Sequence, residues 1–366
     1  MLRSVSAMRT RRRVVATLRG LGLAGLLCAA LGCAGRESLV KVVGPGVVND
    51  PRNKTLRFDI LQFGLNELCR EMSRRGIPLA MRDDEPVSGR FFADACGSQV
   101  IDDDARQSLV LQYSGRGYAW SSITRRVGFT SSGVIEYAPD FQLHEGAMYV
   151  YFRPRSVSAA SVQTVLIESG AASSTMTALG VNANEVGTAI LRGQLQRGFT
   201  VIRQSAEGEV SFGMGFVPKG ELPYAPFTVE RSRHLTLANA TTEIHSGQQD
   251  YVGGFEITGR RQALHVTATL EGTAAVDLFV LSKAYADPMT GTFVSQPGPA
   301  ALVAAPLFED TLTAGQPYRR TIPLPEGIYY LVFDNAAGVG RASPDAGATG
   351  DRAAKIDYLV QSGKAR

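Results

Sequence analysis

The chain has only four histidines, four cysteines and one tryptophan in 366 residues. His144, His234, His245 and His265 stand apart in the sequence, and none falls into HExxH or another metal-ligand spacing. A GxSxG elbow, a phosphate-binding P-loop and a dinucleotide fingerprint are all missing. No apolar run of 18 residues exists beyond the N-terminal segment, so no further spanning helix is expected there. These absences leave no catalytic residues, metal ligands or cofactor cradle to expect. The last absence is of acid: the first 32 residues carry Arg3, Arg9, Arg11, Arg12, Arg13 and Arg19 and no carboxylate.

That basic stretch runs into an apolar segment, Leu21 to Gly32, and ends at Ala30-Leu31-Gly32-Cys33. A cationic n-region followed by a short apolar h-region has the form of a secretory signal and is too short to span a bilayer. Gly32-Cys33 resembles the lipobox of bacterial lipoproteins, in which a small residue precedes an invariant Cys. The position three before the Cys, usually Leu in that family, is Ala30. The resemblance implies a diacyl group on Cys33, cleavage before it and N-acylation (palmitate) of the new terminus. With Ala34 rather than Asp next, it also implies an outer-membrane destination, facing periplasm or cell surface. An ordinary cleaved signal and an uncleaved anchor remain as alternatives. Several acyl chains hold a protein firmly where one holds it only marginally.

Removing residues 1–32 changes the charge. The formal +4 of the whole chain becomes −2, with 32 basic residues against 34 acidic. Nucleic-acid binding loses its electrostatic support. Cys28 leaves with the signal and Cys33 is the acylation site, so Cys69 and Cys96 remain as an even pair in an oxidising compartment and are expected to form a disulfide. Closing that loop stabilises a domain by roughly 3–4 kcal/mol in the chain-entropy view.

The pattern predicts a mainly β protein: a signal peptide (1–32), a lipidated tether (33–54), an α+β domain (55–218) with two amphipathic helices on an antiparallel sheet, a linker (219–232) and a C-terminal β-sandwich or jelly roll (233–366). The first helix is read over Leu56 to Arg75, with Phe58, Leu61, Leu65, Leu68 and Met72 on one stripe, Gly76 as its stop and Pro78 barring continuation. The second is read over Asn184 to Arg197. Strands are expected at Gln107 to Tyr113, Met148 to Phe152 and Val162 to Ile167, then a hairpin of Phe199 to Arg203 with Glu209 to Val217. The order of helix, alternating strands, helix and hairpin resembles that of tubular lipid-binding (TULIP-like) lipoproteins. That resemblance implies an apolar groove, for which Phe58, Leu61, Leu65, Phe212 and Phe216 are the candidate lining. The same pattern also describes a helix packed on a sheet with no cavity.

Seven short strands follow between His234 and Val360, separated by turn clusters that include Asp287-Pro-Met-Thr-Gly291. The phrase from Pro325 to Asn335 (PEGIYYLVFDN) resembles the hairpin of pre-peptidase C-terminal and GOLD-type β-sandwiches, which implies an accessory domain for binding or secretion. Calcium is sometimes bound in such domains; Asp334, Asn335, Asp345 and Asp351 are read instead as surface turn residues. Asp102-Asp103-Asp104 is likewise read as a solvated turn, His144 and His245 as surface turn residues, and Trp120 as either a core residue or an exposed contact. Ser38 to Lys41 fits an SxxK pattern but lies in the tether, where no helix would hold Lys41 against Ser38. The expected function is a non-enzymatic, membrane-anchored envelope lipoprotein that binds a hydrophobic ligand or assists envelope assembly, with membrane and lipid or envelope-protein partners. The alternative is an adaptor that binds a protein or glycan through its C-terminal sandwich. An enzyme would have to be sought around His144 and Glu145.

Overall fold

The structure is a computed structural model that describes residues 50–55, 58, 69, 72–80, 85–102, 107–122, 124–144, 147–169, 199–204, 211–215, 226–227, 234–342 and 352–365. The protein is mainly β. Seven strands form an antiparallel meander in sequence order: β1 (Ile77–Leu79), β2 (Gly89–Asp102), β3 (Gln107–Ser121), β4 (Arg125–His144), β5 (Ala147–Ile167), β6 (Phe199–Gln204) and β7 (Ser211–Gly215). The expected second helix, the SLVK segment and Cys33 lie outside the described residues.

The strands are longer than their periodicity alone suggested. β4 and β5 span 20 and 21 residues and pair from Val127 opposite Ile167 out to His144 opposite Ala147. β2 and β3 pair along the inner half of this hairpin, and β6 pairs only with its outer half, through Met148–Phe152. Alternation gives the inner sheet two buried faces. On one, Phe91, Leu109, Leu111, Tyr113, Val127, Phe129, Ile135 and Tyr137 are all buried. Cys69, in a helical residue, bonds to Cys96 of β2 with a Cα–Cα distance of 5.2 Å, and Met72 lies beside it, so the disulfide ties the helical segment to this face. The helical state ends at Arg74, ahead of Gly76 and Pro78, where the sequence placed the stop.

The C-terminal part contains eight strands: β8 (Leu235–Ile244), β9 (Gln249–Ile257), β10 (Gln262–Glu271), β11 (Ala275–Ser282), β12 (Phe308–Thr313), β13 (Tyr318–Pro323), β14 (Gly327–Asp334) and β15 (Ala354–Lys364). They form two four-stranded sheets, ordered β13-β10-β15-β8 and β12-β11-β14-β9. Counted from β8, the first, eighth, third and sixth strands make one sheet and the second, seventh, fourth and fifth the other, which is the connectivity of an eight-stranded jelly roll. Its interior is packed by Val266, Leu278, Val280, Leu331, Phe333, Ile356 and Val360.

Between β11 and β12 lies a helix, α1 (Lys283–Ser295), where the sequence suggested a turn. Pro288 and Gly291 punctuate the segment, and Pro288 forfeits a bond in the helix interior. Tertiary packing overrides this. Ala286, Met289, Phe293 and Val294 bury one helix face in a second core with Tyr118, Tyr251, Phe279 and Tyr330. α1 also rests on the seven-stranded sheet at Gly128, where any Cβ would run into the carbonyl of Val294.

Candidate functional site

The second face of the inner sheet is covered by the jelly roll, and the contact is built from charge. Arg90 of β2, 2% exposed, donates from Nε and Nη2 to the two carboxylate oxygens of Asp250 at 2.6 and 2.7 Å. Asp250 also accepts from the hydroxyls of Tyr118 at 2.8 Å and Thr242 at 2.9 Å, and Arg90 reaches the Tyr358 hydroxyl at 3.1 Å. Burial is the largest single influence and would lower the pKa of Arg90, but the charge and hydrogen bonds of Asp250, with the Tyr358 and Tyr118 hydroxyls, together outweigh it and hold that pKa well above the ordinary arginine value. Burial, with the Asp250 charge adding to it, pushes the Tyr118 hydroxyl well up, so Tyr118 stays a donor.

A second knot lies along the same face. Arg126 is fully buried, stacks over the Phe293 ring at 3.8 Å and donates from Nη2 to the carbonyls of Gln296 and Gly298, each at 2.8 Å. Its ion-pair partner Glu168 accepts from Gln248 at 2.7 Å and from the Gly298 amide at 3.0 Å. Backbone continues the joint: Val87 exchanges bonds with Thr241 and Glu243 of β8, and the Gly76 amide donates to Gly253. Trp120 stacks on His245, whose ring nitrogen lies 3.0 Å from Glu243. His245 is therefore buried rather than a surface residue, because the β8–β9 turn is pressed against β3. Asp334 and Asn335 are also buried, at 1% and 0% exposure, not surface turn residues. Asp334 caps the Ala336 amide, and Asn335 donates to the carbonyls of Ile244 and Arg352, locking the β8–β9 turn to the end of β14. Part of the expected linker is tied down as well, through the Asn239 side chain to the amide and carbonyl of Phe227.

Where the joint opens, it leaves a cleft. Met72, Ser73, Arg74 and Arg75 form one rim, Phe92, Ala93, Asp94 and Arg116 of the sheet a wall, and Lys283, Asp287 and Thr290 of α1 the opposite wall, with Tyr330 at the base. Arg74 and Arg75, at the end of the helical segment, reach the jelly roll: Arg74 pairs with Glu256 and Arg75 donates to the Leu237 carbonyl. The Tyr330 hydroxyl closes the helix end by donating to the Arg74 carbonyl at 2.8 Å. The cleft wall thus comes from segments more than 150 residues apart, which periodicity could not bring together. For the joint itself the local signal is Arg90 beside the aromatic pair Phe91-Phe92 at the start of β2.

Of the candidate groove residues, Phe58 is helical and half-buried, Phe212 lies in β7, and Leu61, Leu65 and Phe216 lie outside the described residues. Among the described residues no group of three or more His, Cys, Asp or Glu converges as a metal site. No helix among them is long and apolar enough to cross a membrane.

No protein-family model matches this chain, and no curated protein matches it. Among solved structures it is similar to infectious bursal disease virus, Gt strain, at 12% identity over 79% of this chain and 75% of that one, with a TM-score of 0.20. The Gx strain of that virus matches at 10% identity over 78% and 74%, with a TM-score of 0.18. An exo-β-1,3-galactanase from Phanerochaete chrysosporium matches at 8% identity over 75% and 82%, with a TM-score of 0.15. Scores this low carry no structural argument.

Proposed function

We propose that the protein is a lipid-anchored, non-enzymatic lipoprotein of the cell envelope that works as a binding module. The observation that carries the reading is the composite cleft: a charged recess whose walls belong to both the meander sheet and the jelly roll, within a joint held by buried ion pairs. The signal-like N-terminus ending at Cys33 supports the anchor, and the Cys69–Cys96 disulfide suits an oxidising compartment. A second reading, an adaptor that docks a protein or glycan through the jelly roll, is favoured by Tyr285, Val303 and Leu307, three large apolar side chains exposed within one segment of it.

The anchor is tested by labelling cells with an alkyne-tagged palmitate and substituting Cys33→Ala. The reading expects the wild-type protein to take the label and fractionate with membranes, and the variant to lose the label and keep its precursor mass. Undiminished labelling of the variant would sink the assignment. Native mass spectrometry of the same protein, released from detergent, then reports whether a small molecule is retained near one-to-one.

A further inference from the structure

Building on the binding-module reading, we propose that the cleft receives a phosphate group and that Arg116 is the residue that grips it. The lining carries four cations, Arg74, Arg75, Arg116 and Lys283, against two carboxylates, Asp94 and Asp287. The cations are not equivalent. Arg74 is engaged bidentately by Glu256, Arg75 reaches away to Leu237, and Lys283 pairs with Asp287 at 2.8 Å, one helical turn along α1. Arg116 is held loosely. Its Nη2 lies 3.6 Å from the half-exposed Asp94 carboxylate, beyond hydrogen-bonding distance, and its Nε is sealed from solvent with no acceptor.

A guanidinium presents Nε and Nη as a planar fork that matches two oxygens of one phosphate. Leaving such a donor buried and unmet carries a desolvation cost, which an oxyanion taking the Nε–Nη2 edge removes after a small rotation of the side chain. The setting favours it. The Arg116 guanidinium rests against α1 at Gly291. Thr290 in the α1 wall and Tyr330 at the base are 3% and 2% exposed, and the Phe92 ring lies tilted beside the Tyr330 ring at 6.3 Å. Lys283, two turns along α1 from Gly291, contributes field rather than a second contact. The phosphate belongs either to a lipid headgroup or to a soluble molecule.

The experiment is calorimetric titration of the full chain in neutral detergent with inorganic phosphate. Saturable binding that weakens with added salt is expected. Arg116→Gln should lower the affinity by at least about tenfold and Lys283→Gln by only about two- to threefold. Arg341→Gln, whose side chain is 72% exposed outside the cleft, should change nothing. Trp120 fluorescence verifies folding of each variant. Absence of saturable binding, or an Arg116→Gln protein that binds like wild type, overturns the proposal. Repeating the titration in nanodiscs separates the sources: weaker phosphate binding in phosphatidylglycerol discs than in phosphatidylcholine discs assigns a lipid headgroup, and equal binding assigns a soluble phosphate. The intact mass of the same preparation reports acylation independently, so a missing acyl group would remove the anchor reading and leave the cleft result standing.

Discussion

Asp250→Ala should destabilise the protein by about 3–5 kcal/mol, because it strands the Arg90 guanidinium in a site that is nearly water-free. The substitution also leaves the Tyr118 hydroxyl without its acceptor, whereas Thr242 keeps the Val87 carbonyl at 3.0 Å. The size of the effect comes from what is left behind rather than from the attraction lost. Two charges removed from water recover in their mutual attraction roughly what desolvation cost them, so an ion pair replaced as a whole by apolar residues of similar volume is often near neutral. The double replacement Arg90→Met with Asp250→Leu is therefore expected to fall well short of the single one, within about 1–2 kcal/mol of wild type. Urea unfolding of the three proteins checks both figures. A cost below about 1 kcal/mol for Asp250→Ala would mean that water reaches Arg90 and that the joint is looser than its geometry.

The second large effect is a pH dependence centred on Asp334. Burial is the main reason that its pKa is raised to about 7; the Gln249 amide opposes the rise and the Asp277 carboxylate adds to it. Asp277 stands directly opposite on β11 and is occupied, with both oxygens accepting from the Ala342 amide at 2.9 and 2.8 Å. A like charge directly across the ladder is unfavourable. Between the unfolded carboxyl pKa of 3.8 and about 7 the folded chain holds a proton that the unfolded chain has released. Stability from this group is thus full below the unfolded value, falls as pH rises through that window, and is lost above about 7, a total of roughly 4 kcal/mol. Asp334→Asn keeps an oxygen for the Ala336 amide and removes the titration. The variant should match wild type near pH 4 and exceed its stability by roughly 2–4 kcal/mol at pH 8.5. Equal pH slopes for the two proteins in urea unfolding would show that Asp334 ionises freely.

How much of this was readable in advance depends on the range of each interaction. Leu109, Leu111 and Tyr113 alternate within five residues, and they face one core together. The Cys69–Cys96 pair followed from counting, and most jelly-roll strands from turn residues between apolar runs. α1 was obscured because Pro288 and Gly291 are strong local punctuation, while the stripe of Ala286, Met289 and Phe293 that rescues the helix has value only against Tyr118 and Tyr251 from elsewhere in the chain. Asp334 and Asn335 read as turn residues because they do end a strand; their burial depends on segment 336–342 folding back over Asp277. The cleft was least legible. Phe92, Arg116, Lys283 and Tyr330 come from four elements, and no local pattern marks any of them as a neighbour of the others.

Because both halves furnish the cleft, the functional account requires that they form one unit. Trp120, the chain's only tryptophan, sits on His245 at the joint and reports its opening directly. The decisive measurement is equilibrium unfolding in urea followed in parallel by Trp120 fluorescence, far-UV circular dichroism and scanning calorimetry. The account predicts one transition, with coincident midpoints and calorimetric and van't Hoff enthalpies that agree. A Trp120 change at low denaturant, ahead of the loss of β structure, would show two independently folded parts and a cleft with no fixed shape.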